Sequence, residues 1–511
     1  MLTTSRLHEH SDTAHRARDL LARLPDAFKH VTSDSRTISP LPEEAHQTLF
    51  LAYPGVKSDG RAHIDAVVAR GAAVIAEADG FAPNPGRSDV LAAHGVKRLA
   101  GHLAAEIYAH PCKALWMIGV TGTNGKTSCT QWLAQAFALL GKPCGVIGTL
   151  GAGMPNALRP NPNTTPDATL FHAALRDMLD AGAQACAAEV TSIGLMEGRV
   201  NGAAFNVALM TNLTHDHLDY HGTFAAYAAA KQQLFTWPGL QHAVLNWDDG
   251  TARGFARALP EDVSLTSFSS DSSRSENVTL RAQDIRFESA ATCFTLVAKE
   301  QTFALRCPVI GAFNVSNLLG VAGVLLASGV ALEDIAGVLP QLTPPSGRME
   351  IVGAKVAATA PLVVVDYAHT PDALQQALVA LRPIAATRGG TLAVVFGCGG
   401  NRDATKRAVM GEIAARHADR LVLTNDNPRS EDSALILATI AQGVARVGKA
   451  ASSTPDRAAA IAQTIAAAHV ADVILIAGKG HESTQTQNGV SLPFSDQAHA
   501  RAALGAWRQT C

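Results

Sequence analysis

The feature that most constrains this chain is a glycine-rich segment, residues 119–128, that lies between an apolar run and a helical pattern. The apolar run at 114–118 predicts a strand, and residues 129–140 have the apolar spacing of a helix. Glycines in such a turn let backbone N–H groups approach phosphate oxygens, and the helix N-terminus adds favourable partial charge. The segment therefore predicts a loop that cradles a nucleotide triphosphate, with an ordinary strand-to-helix turn as the alternative.

Individual residues of this loop have expected roles. Lys126 would reach the β- and γ-phosphates, and the hydroxyl of Thr127 would bind Mg²⁺. The strict phosphate-loop pattern places a glycine five residues before Gly125, whereas this chain has Val120 there, so the loop is a variant. The residues expected to contact the nucleotide are Gly122, Thr123, Asn124, Gly125, Lys126, Thr127 and Ser128.

Composition narrows the class of protein. A chain of 511 residues is too long for one core and suggests about three domains. A net charge of −2 without a basic run argues against nucleic acid and membrane surfaces as partners, and no stretch has the composition of a membrane span. The eight cysteines have no C-x-x-C spacing and are expected to be reduced thiols of a cytoplasmic protein.

The pattern of predicted elements indicates an α/β fold in three domains, residues 1–113, 114–343 and 344–511. The first is a small α/β unit, and the second opens with the glycine-rich loop and alternates strands with helices, which is typical of a mostly parallel sheet. Residues 261–308 within it predict antiparallel strands. The other strands predicted in these two segments are 48–53, 72–76, 144–149, 185–190, 207–213 and 243–245.

Four apolar strands of the third segment each end in a polar cluster. In open α/β sheets ligands bind outside the carboxyl ends of the strands, so clusters from four strands predict one shared site. Ordinary polar loops are the alternative explanation. The strands are 362–365, 392–396, 421–423 and 473–477, and the clusters are 366–369, 397–403, 424–431 and 478–482.

The segment at residues 212–221 is dense in possible metal ligands. A zinc hydrolase would use the H-x-H-x-D-H pattern, but Tyr220 occupies the position of its last histidine. A Mg²⁺ site beside a triphosphate needs hard oxygen ligands, which the carboxylate of Glu189 would supply. The side chains considered for zinc are His215, His217, Asp219 and His221.

A series of motifs along nearly the whole chain resembles the motifs of the Mur ligase family in order and spacing. The resemblance implies an N-terminal UDP-binding domain, a central P-loop ATPase domain and a C-terminal Rossmann-like domain. The motifs are residues 121–127, 163–167, 189–192, 212–219, 227–231, 311–317, 346–350, 366–369, 426–429 and 478–482.

The resemblance also implies an activity, the ATP- and Mg²⁺-dependent ligation of meso-diaminopimelate to the D-glutamate carboxylate of UDP-N-acetylmuramoyl-L-alanyl-D-glutamate. The reaction would pass through an acyl phosphate, because a free carboxylate lacks a leaving group, and would serve cytoplasmic peptidoglycan precursor synthesis. The expected enzyme is a monomer. The alternatives are a lysine-adding Mur ligase, a folylpolyglutamate synthase or, from another class, a P-loop switch protein.

By the same resemblance, Lys126, Lys231, His217 and Glu189 would be catalytic. Thr127, Glu189, His217 and Lys231 as a carbamate would bind the metal, because an ammonium cannot do so but a carbamate presents anionic oxygens. Asn314, Arg348 and Asp366 would contact ATP.

Three groups of residues would bind the other substrates. The UDP-sugar contacts are Ser35, Val56, Lys57 and Ser58. The muramoyl-peptide contacts are Asn163, Thr164, Thr165, Thr191, Glu197 and Arg199. The diaminopimelate contacts are Arg402, Asp426, Asn427, Pro428, Arg429, Gly478 and Glu482. Two positions depart from the family pattern, since Ile193 replaces a histidine and Glu197 stands where glutamine is common.

Overall fold

The structure is a computed structural model that describes residues 2–24, 27–55, 58–84, 86–271, 278–288, 290–353 and 359–508. The chain divides into two compact units. Unit 1 comprises Met1–Ser269, Glu276–Thr279 and Gly320–Ile335, and unit 2 comprises Ser270–Ser275, Leu280–Leu319 and Ala336–Cys511. The three-domain boundaries predicted above stay a prediction.

The elements follow one another as alternating helices and strands over much of the chain. The helices are α1 Leu2–Leu21, α2 Pro42–Ala45, α3 Ile64–Val68, α4 Val96–Ile107, α5 Pro111–Ala114, α6 Lys126–Leu139, α7 Ala168–Asp180, α8 Ser192–Met196, α9 Leu218–His221, α10 Phe224–Gln232, α11 Ala252–Arg257, α12 Ala312–Ala327, α13 Leu332–Val338, α14 Pro371–Arg388, α15 Lys406–His417, α16 Ser433–Arg446, α17 Arg457–Ala466 and α18 Asp496–Ala506. The strands are β1 His30–Thr32, β2 Thr48–Ala52, β3 Ala73–Glu77, β4 Val90–Ala93, β5 Trp116–Thr121, β6 Cys144–Gly148, β7 Gly151–Gly153, β8 Ala185–Glu189, β9 Val207–Met210, β10 His242–Asn246, β11 Ser264–Ser269, β12 Leu280–Phe287, β13 Thr292–Ala298, β14 Gln301–Cys307, β15 Glu350–Val352, β16 Leu362–Asp366, β17 Leu392–Phe396, β18 Arg420–Leu423, β19 Ser452–Ser453, β20 Val473–Ala477, β21 Thr484–Gln487 and β22 Val490–Pro493.

Unit 1 begins with a parallel sheet of four strands in the order β1-β2-β3-β4. Strands β2 and β3 confirm the two strands predicted in the first segment. Their side chains alternate between two apolar clusters. Leu49, Leu51 and Ile75 pack on one side with α4, and Phe50 and Val74 pack on the other.

The second sheet of unit 1 contains the glycine-rich loop. Its strands in this unit run in the order β7-β6-β8-β5-β9-β10-β11. Strands β6 and β7 pair antiparallel, and the other neighbouring strands pair parallel. The chain leaves β5 toward β6 and β8 on one side and later adds β9 and β10 on the other. The carboxyl end of β5 is therefore a topological switch point, where α/β sheets bind ligands.

Residues 261–308 were expected to be antiparallel, and this is correct only in part. In unit 2, β12 pairs with β13 and β13 with β14 in antiparallel register, as predicted. Strand β11, in unit 1, instead pairs parallel with β10. Helix α11 separates these two strands in sequence, and such a crossover favours parallel pairing.

Unit 2 also contains a six-stranded sheet in the order β15-β16-β20-β17-β18-β19. Only β15 is antiparallel to its neighbour. The four strands predicted to end in polar clusters, β16, β17, β18 and β20, are adjacent and parallel, so their carboxyl ends lie at the same edge. Apolar side chains cover both faces of this sheet.

Two further expectations concern the whole chain. The cysteines that the structure describes are all free, and all but Cys293 are buried. Among the described helices, none combines the length and the apolar composition needed to span a bilayer.

Candidate active site

The glycine-rich loop has the shape of a phosphate cradle. It connects β5 to α6, and Gly125 adopts a left-handed conformation at φ 85° immediately before the helix. Gly122 has φ 146°, and a Cβ atom there would lie 1.9 Å from Oγ1 of Thr211. Val120, which replaces the glycine of the strict pattern, is buried inside β5. The variant position is thus part of the strand, and the turn itself keeps the glycines that its backbone requires.

Two lysines meet at one carbonyl oxygen of this loop. Lys126 Nζ donates to the carbonyl oxygens of Gly122 and Thr123 at 2.9 and 2.8 Å. Lys231 Nζ, from α10, donates to the same Gly122 oxygen at 2.8 Å and lies 4.7 Å from the ring centre of Tyr227. Burial, together with the positive charge of Lys126, holds the pKa of Lys231 well below its ordinary value.

Glu189 is a buried carboxylate at the carboxyl end of β8. Its Oε2 accepts from the hydroxyl groups of Thr127 and Thr149, each at 3.2 Å, and its Oε1 accepts from the Thr149 backbone N–H at 2.8 Å. A Cβ on Gly148 would lie 2.2 Å from Oε1, so this glycine makes room for the carboxylate. The carboxylate and the Thr127 hydroxyl are hard oxygen donors of the kind that Mg²⁺ prefers.

His217 lies in a left-handed conformation, at φ 51°, immediately before the four-residue helix α9. Its ring centre is 6.3 Å from that of Tyr227, the same ring that Lys231 covers. The structure therefore places His217, Lys231, Glu189 and the loop lysine near the carboxyl ends of the strands of this sheet, and their roles stay a prediction.

The geometry does not support the zinc hydrolase alternative. Among the residues that the structure describes, the set of three or more His, Cys, Asp or Glu ligand atoms within 4.8 Å of one another is Glu77, Asp79 and His94, which lie elsewhere. The candidate ligands contact different neighbours. The ring of His215 packs on Phe224, and His221 contacts the Ser192 hydroxyl at 3.0 Å.

Three threonines and an arginine form a polar cluster beside β8. Thr165 donates its hydroxyl to the Glu189 carbonyl at 2.8 Å and contacts the Thr191 hydroxyl at 3.0 Å. Arg199 donates to the Thr165 carbonyl at 3.0 Å, and the hydroxyls of Thr164 and Thr149 are 3.2 Å apart. Of the predicted muramoyl-peptide contacts, these four are brought together, and Asn163 is exposed.

Glu197, which departs from the family pattern, is held by protein groups. Its Oε1 accepts from the hydroxyl of Tyr220 at 2.7 Å, and Lys97 forms an ion pair with Oε2. The hydrogen bond from Lys97 is the main cause that lowers the pKa of the Glu197 carboxyl. Ile193, at the other departure, is half-buried.

The predicted UDP-sugar contacts are described only in part. Ser35 begins a short 3₁₀ turn after Asp34, whose side chain forms an ion pair with Arg36 at 2.7 Å. Ser58 is exposed and its carbonyl accepts from the Gly55 N–H at 2.8 Å. Val56 and Lys57 lie outside the described residues.

The predicted ATP contacts of unit 2 occupy two places. Asn314 is buried in α12 and donates to the Ile310 carbonyl at 2.9 Å. Arg348 lies with its guanidinium 4.6 Å from the ring centre of Tyr367, and Asp366 Oδ2 accepts from the Met349 N–H at 2.8 Å. Burial raises the pKa of the Asp366 carboxyl.

Most of the residues predicted to bind diaminopimelate gather at the carboxyl ends of β17, β18 and β20. Asp426, Asn427, Pro428 and Gly478 are buried, Arg429 and Glu482 are half-buried, and Arg402 is exposed. A Cβ on Gly478 would lie 2.5 Å from Asp426 Oδ2, so the two segments approach closely. Burial raises the pKa of the Asp426 carboxyl.

Arg429 is held in place by its own loop. It has φ 55°, its N–H donates to the Thr486 carbonyl at 3.0 Å, and its Nη1 donates to the Gly400 carbonyl at 2.7 Å. Glu431, two residues further along the chain, forms its ion pair with Arg407 at 2.8 Å. The remaining guanidinium nitrogens can therefore serve a carboxylate ligand.

Several residues at these places were missed. Thr149, Tyr227 and Lys479 contact Glu189, Lys231 and Glu482, respectively. Thr149 is the last residue of a predicted strand, and Tyr227 and Lys479 lie inside the motifs, so the sequence did contain a signal for these residues.

Comparison with known proteins covers almost the whole chain. Residues 120–325 match the Mur ligase middle domain, and residues 347–480 match the Mur ligase glutamate ligase domain. A relative from Ralstonia nicotianae named UDP-N-acetylmuramoyl-L-alanyl-D-glutamate–2,6-diaminopimelate ligase is 48% identical, with 95% of each chain covered. One of the same name from Pseudomonas aeruginosa is 47% identical, with 96% of each covered. A solved structure of that name is 34% identical with a TM-score of 0.65, covering 94% of this chain and 95% of the other. This chain belongs to the Mur ligase family.

Proposed function

We propose that this protein is an ATP-dependent ligase that joins meso-2,6-diaminopimelate to the D-glutamate carboxylate of UDP-N-acetylmuramoyl-L-alanyl-D-glutamate, a step of peptidoglycan precursor synthesis. The similarity along 95% of its length to a relative of that name carries the proposal. The phosphate-cradle geometry alone supports the binding of a nucleotide and does not identify the other substrates. Since the reaction consumes ATP, we expect it to run in the cytoplasm, with the enzyme as a monomer.

The loop residues would bind the triphosphate. The left-handed Gly125 precedes a helix of 14 residues, whose first N–H groups and dipole favour phosphate oxygens. Lys126 would exchange its contacts with two loop carbonyls for contacts with the phosphates. Positive charge at this position offsets the negative charge that builds on the transferred phosphoryl group.

The chemistry follows from the poor reactivity of a carboxylate. Transfer of the γ-phosphoryl group to the D-glutamate carboxylate forms an acyl phosphate and releases ADP. The neutral amine of the incoming amino acid then attacks the acyl carbon, a C–N bond forms, and the C–O bond to phosphate breaks. The amine loses one proton, and inorganic phosphate leaves.

A divalent cation fits the donors beside the loop. Thr127 and Glu189 would hold it directly, and His217 and Lys231, which both lie beside the Tyr227 ring, would be its further ligands. A bound Mg²⁺ would supply positive charge to the phosphate oxygens. Burial favours the neutral amine of Lys231, which is the form that combines with CO₂ to give a carbamate and a proton.

The other predicted contacts divide by substrate. Thr164, Thr165, Thr191 and Arg199 would bind the muramoyl peptide, with Ser35 and Ser58 at the UDP-sugar. Arg429 would bind the far carboxylate of diaminopimelate, which lysine lacks, and Glu482 would bind the far ammonium.

The test is phosphate release with UDP-N-acetylmuramoyl-L-alanyl-D-glutamate, ATP and Mg²⁺, comparing meso-diaminopimelate, L-lysine and L-glutamate. We expect turnover with meso-diaminopimelate and at least about a hundredfold lower efficiency with L-lysine. Equal use of lysine would identify a lysine-adding enzyme, use of glutamate with a folate would identify a folylpolyglutamate synthase, and hydrolysis independent of any amino acid would identify a switch.

Lys126→Ala is the matching variant. We expect a folded protein whose turnover falls at least about a hundredfold, because it lacks a charge that acts in the transition state. Lys142→Ala, at an exposed lysine beyond the end of the same helix, is the control and should retain activity. Near-normal turnover of folded Lys126→Ala would refute the assignment of the loop.

A further inference from the structure

Lys479 is a wholly buried lysine at the predicted diaminopimelate site. Its side chain is 0% exposed and lies directly after Gly478, whose φ of 114° and lack of a Cβ allow close approach to Asp426. Its Nζ donates to Glu482 Oε2 at 2.8 Å and to Asn427 Oδ1 at 3.1 Å. Burying an ammonium is unfavourable unless it is paired, so the presence of a buried lysine at this position needs an explanation.

The hydrogen bonds of this lysine determine the orientation of the Asn427 amide. The atom that faces Lys479 also accepts from the Thr486 N–H at 2.9 Å. Both partners can only donate, so this atom must be the amide oxygen. The nitrogen Nδ2 must therefore point the other way, and it donates to Glu482 Oε2 at 2.7 Å.

One oxygen of Glu482 thus receives two donors and the other receives none. Among the residues that the structure describes, Lys479 and Asn427 both donate to Oε2, and no donor contacts Oε1. The carboxylate, which is 30% exposed, is held through Oε2, and this leaves Oε1 for a donor from a ligand. A fixed carboxylate oxygen can select an ammonium because it does not have to be ordered when the ligand binds.

We infer that Lys479 is a positioning residue for amino-acid selection, because it and Asn427 hold Glu482 so that Oε1 accepts the ammonium at the far end of diaminopimelate. This inference rests on the proposed function and names a determinant of its specificity. Arg429 would bind the far carboxylate and Glu482 would bind the far ammonium. Each of the two charged groups at the far end of diaminopimelate would thus have its own partner.

A structural lysine without a role in selection would give a different result. It would affect stability, or turnover with every amino acid alike. A positioning lysine affects the substrate that carries the far ammonium and spares an analogue without it. The probe is 2-aminopimelate, which keeps the far carboxylate and lacks the far amine.

The experiment compares kcat/KM for meso-diaminopimelate and for 2-aminopimelate in the wild-type enzyme and in Lys479→Met. We expect the wild-type preference to fall about tenfold or more in the variant, mainly through a higher KM for meso-diaminopimelate, with the KM for ATP unchanged. Lys449→Met is the control, since Lys449 in the same unit donates to the backbone carbonyl of Ala418 at 3.0 Å. An unchanged preference in folded Lys479→Met would overturn the inference.

Two further measurements make the result decisive. In a Glu482→Gln background, adding Lys479→Met should change the preference by no more than about twofold, because Lys479 acts through Glu482. A further large fall would overturn that role. If Lys479→Met does not fold, Lys479→Leu, which also lacks a donor, takes its place, and the same preference decides. Absence of wild-type turnover with meso-diaminopimelate would refute the proposed function itself, whereas normal turnover with an unchanged preference refutes only the role of Lys479.

Discussion

The buried ion pair between Arg457 and Asp496 gives a stability prediction whose size follows from its geometry. Arg457 begins α17 and Asp496 begins α18, and two guanidinium nitrogens meet the two carboxylate oxygens at 2.7 Å each. Both side chains are 0% exposed. In Arg457→Met the carboxylate would stay buried without its counter-charge, which costs about 3–5 kcal/mol in the free energy of unfolding. For a unit of this size that corresponds to a fall in Tm of roughly 10 °C.

The assay is thermal and urea unfolding of the wild type, of Arg457→Met and of the double variant Arg457→Met/Asp496→Leu. Replacing both partners removes the unpaired charge, so the double variant should recover most of the lost stability. Burial raises the pKa of the Asp426 carboxyl, and the positive charge of Arg457 opposes this effect. The single variant should therefore also weaken use of diaminopimelate. A single variant within about 1 kcal/mol of the wild type, or a double variant as unstable as the single one, would refute the reasoning.

Other expectations concern the loop, a buried histidine and two site residues. Gly122→Ala should lower turnover roughly a hundredfold through displacement of the loop, whereas Gly141→Ala, at a positive φ with open space, should not; equal effects would contradict the account. Burial lowers the pKa of His172 to about 4, below its unfolded value, so the stability it contributes is present above pH 6.5 and is lost as the pH falls toward 4. Between pH 7 and 5 the wild type should lose about 2 kcal/mol more than His172→Gln in urea unfolding, and identical pH profiles would exclude this. Lys231→Ala should be nearly inactive and partly restored by added short carboxylates; a bare amine in a high-resolution map of active, Mg²⁺-bound enzyme would count against the carbamate. Arg429→Ala should reduce use of meso-diaminopimelate by about a thousandfold while sparing ATP binding, and an unchanged preference over lysine would disprove its role.

The apolar strands of the C-terminal sheet were predictable, and their neighbours were not. Strands β17 and β20 begin and end where the sequence predicted, because each is a continuous apolar run that ends at a polar cluster. Strand β20 nevertheless lies between β16 and β17, which precede it by many residues. Parallel pairing is decided by packing of the crossover helices, which a local pattern does not contain.

The same distinction holds for the site. The glycine-rich loop could be predicted from the sequence because its turn, its lysine and its helix are consecutive in the chain. The contact of Glu189 with Thr149 could not be predicted from the sequence, since it requires β8 and β6 to be neighbours. The zinc interpretation of residues 212–221 failed for a related reason. Spacing alone does not reveal that His221 ends a four-residue helix whereas His215 lies before it.

The carbonyl of Gly122 has a consequence for how tightly the loop holds a nucleotide. It accepts hydrogen bonds from Lys126 and Lys231 together, so two side-chain amino groups already share one oxygen. A phosphate that draws Lys126 away replaces contacts that exist, and the net affinity is the difference between the two sets. Conversion of the neutral Lys231 amine to an anionic carbamate would add electrostatic attraction between the two side chains. The bicarbonate content of the medium would then set the nucleotide affinity, and CO₂-depleted buffer should weaken it without any change in sequence.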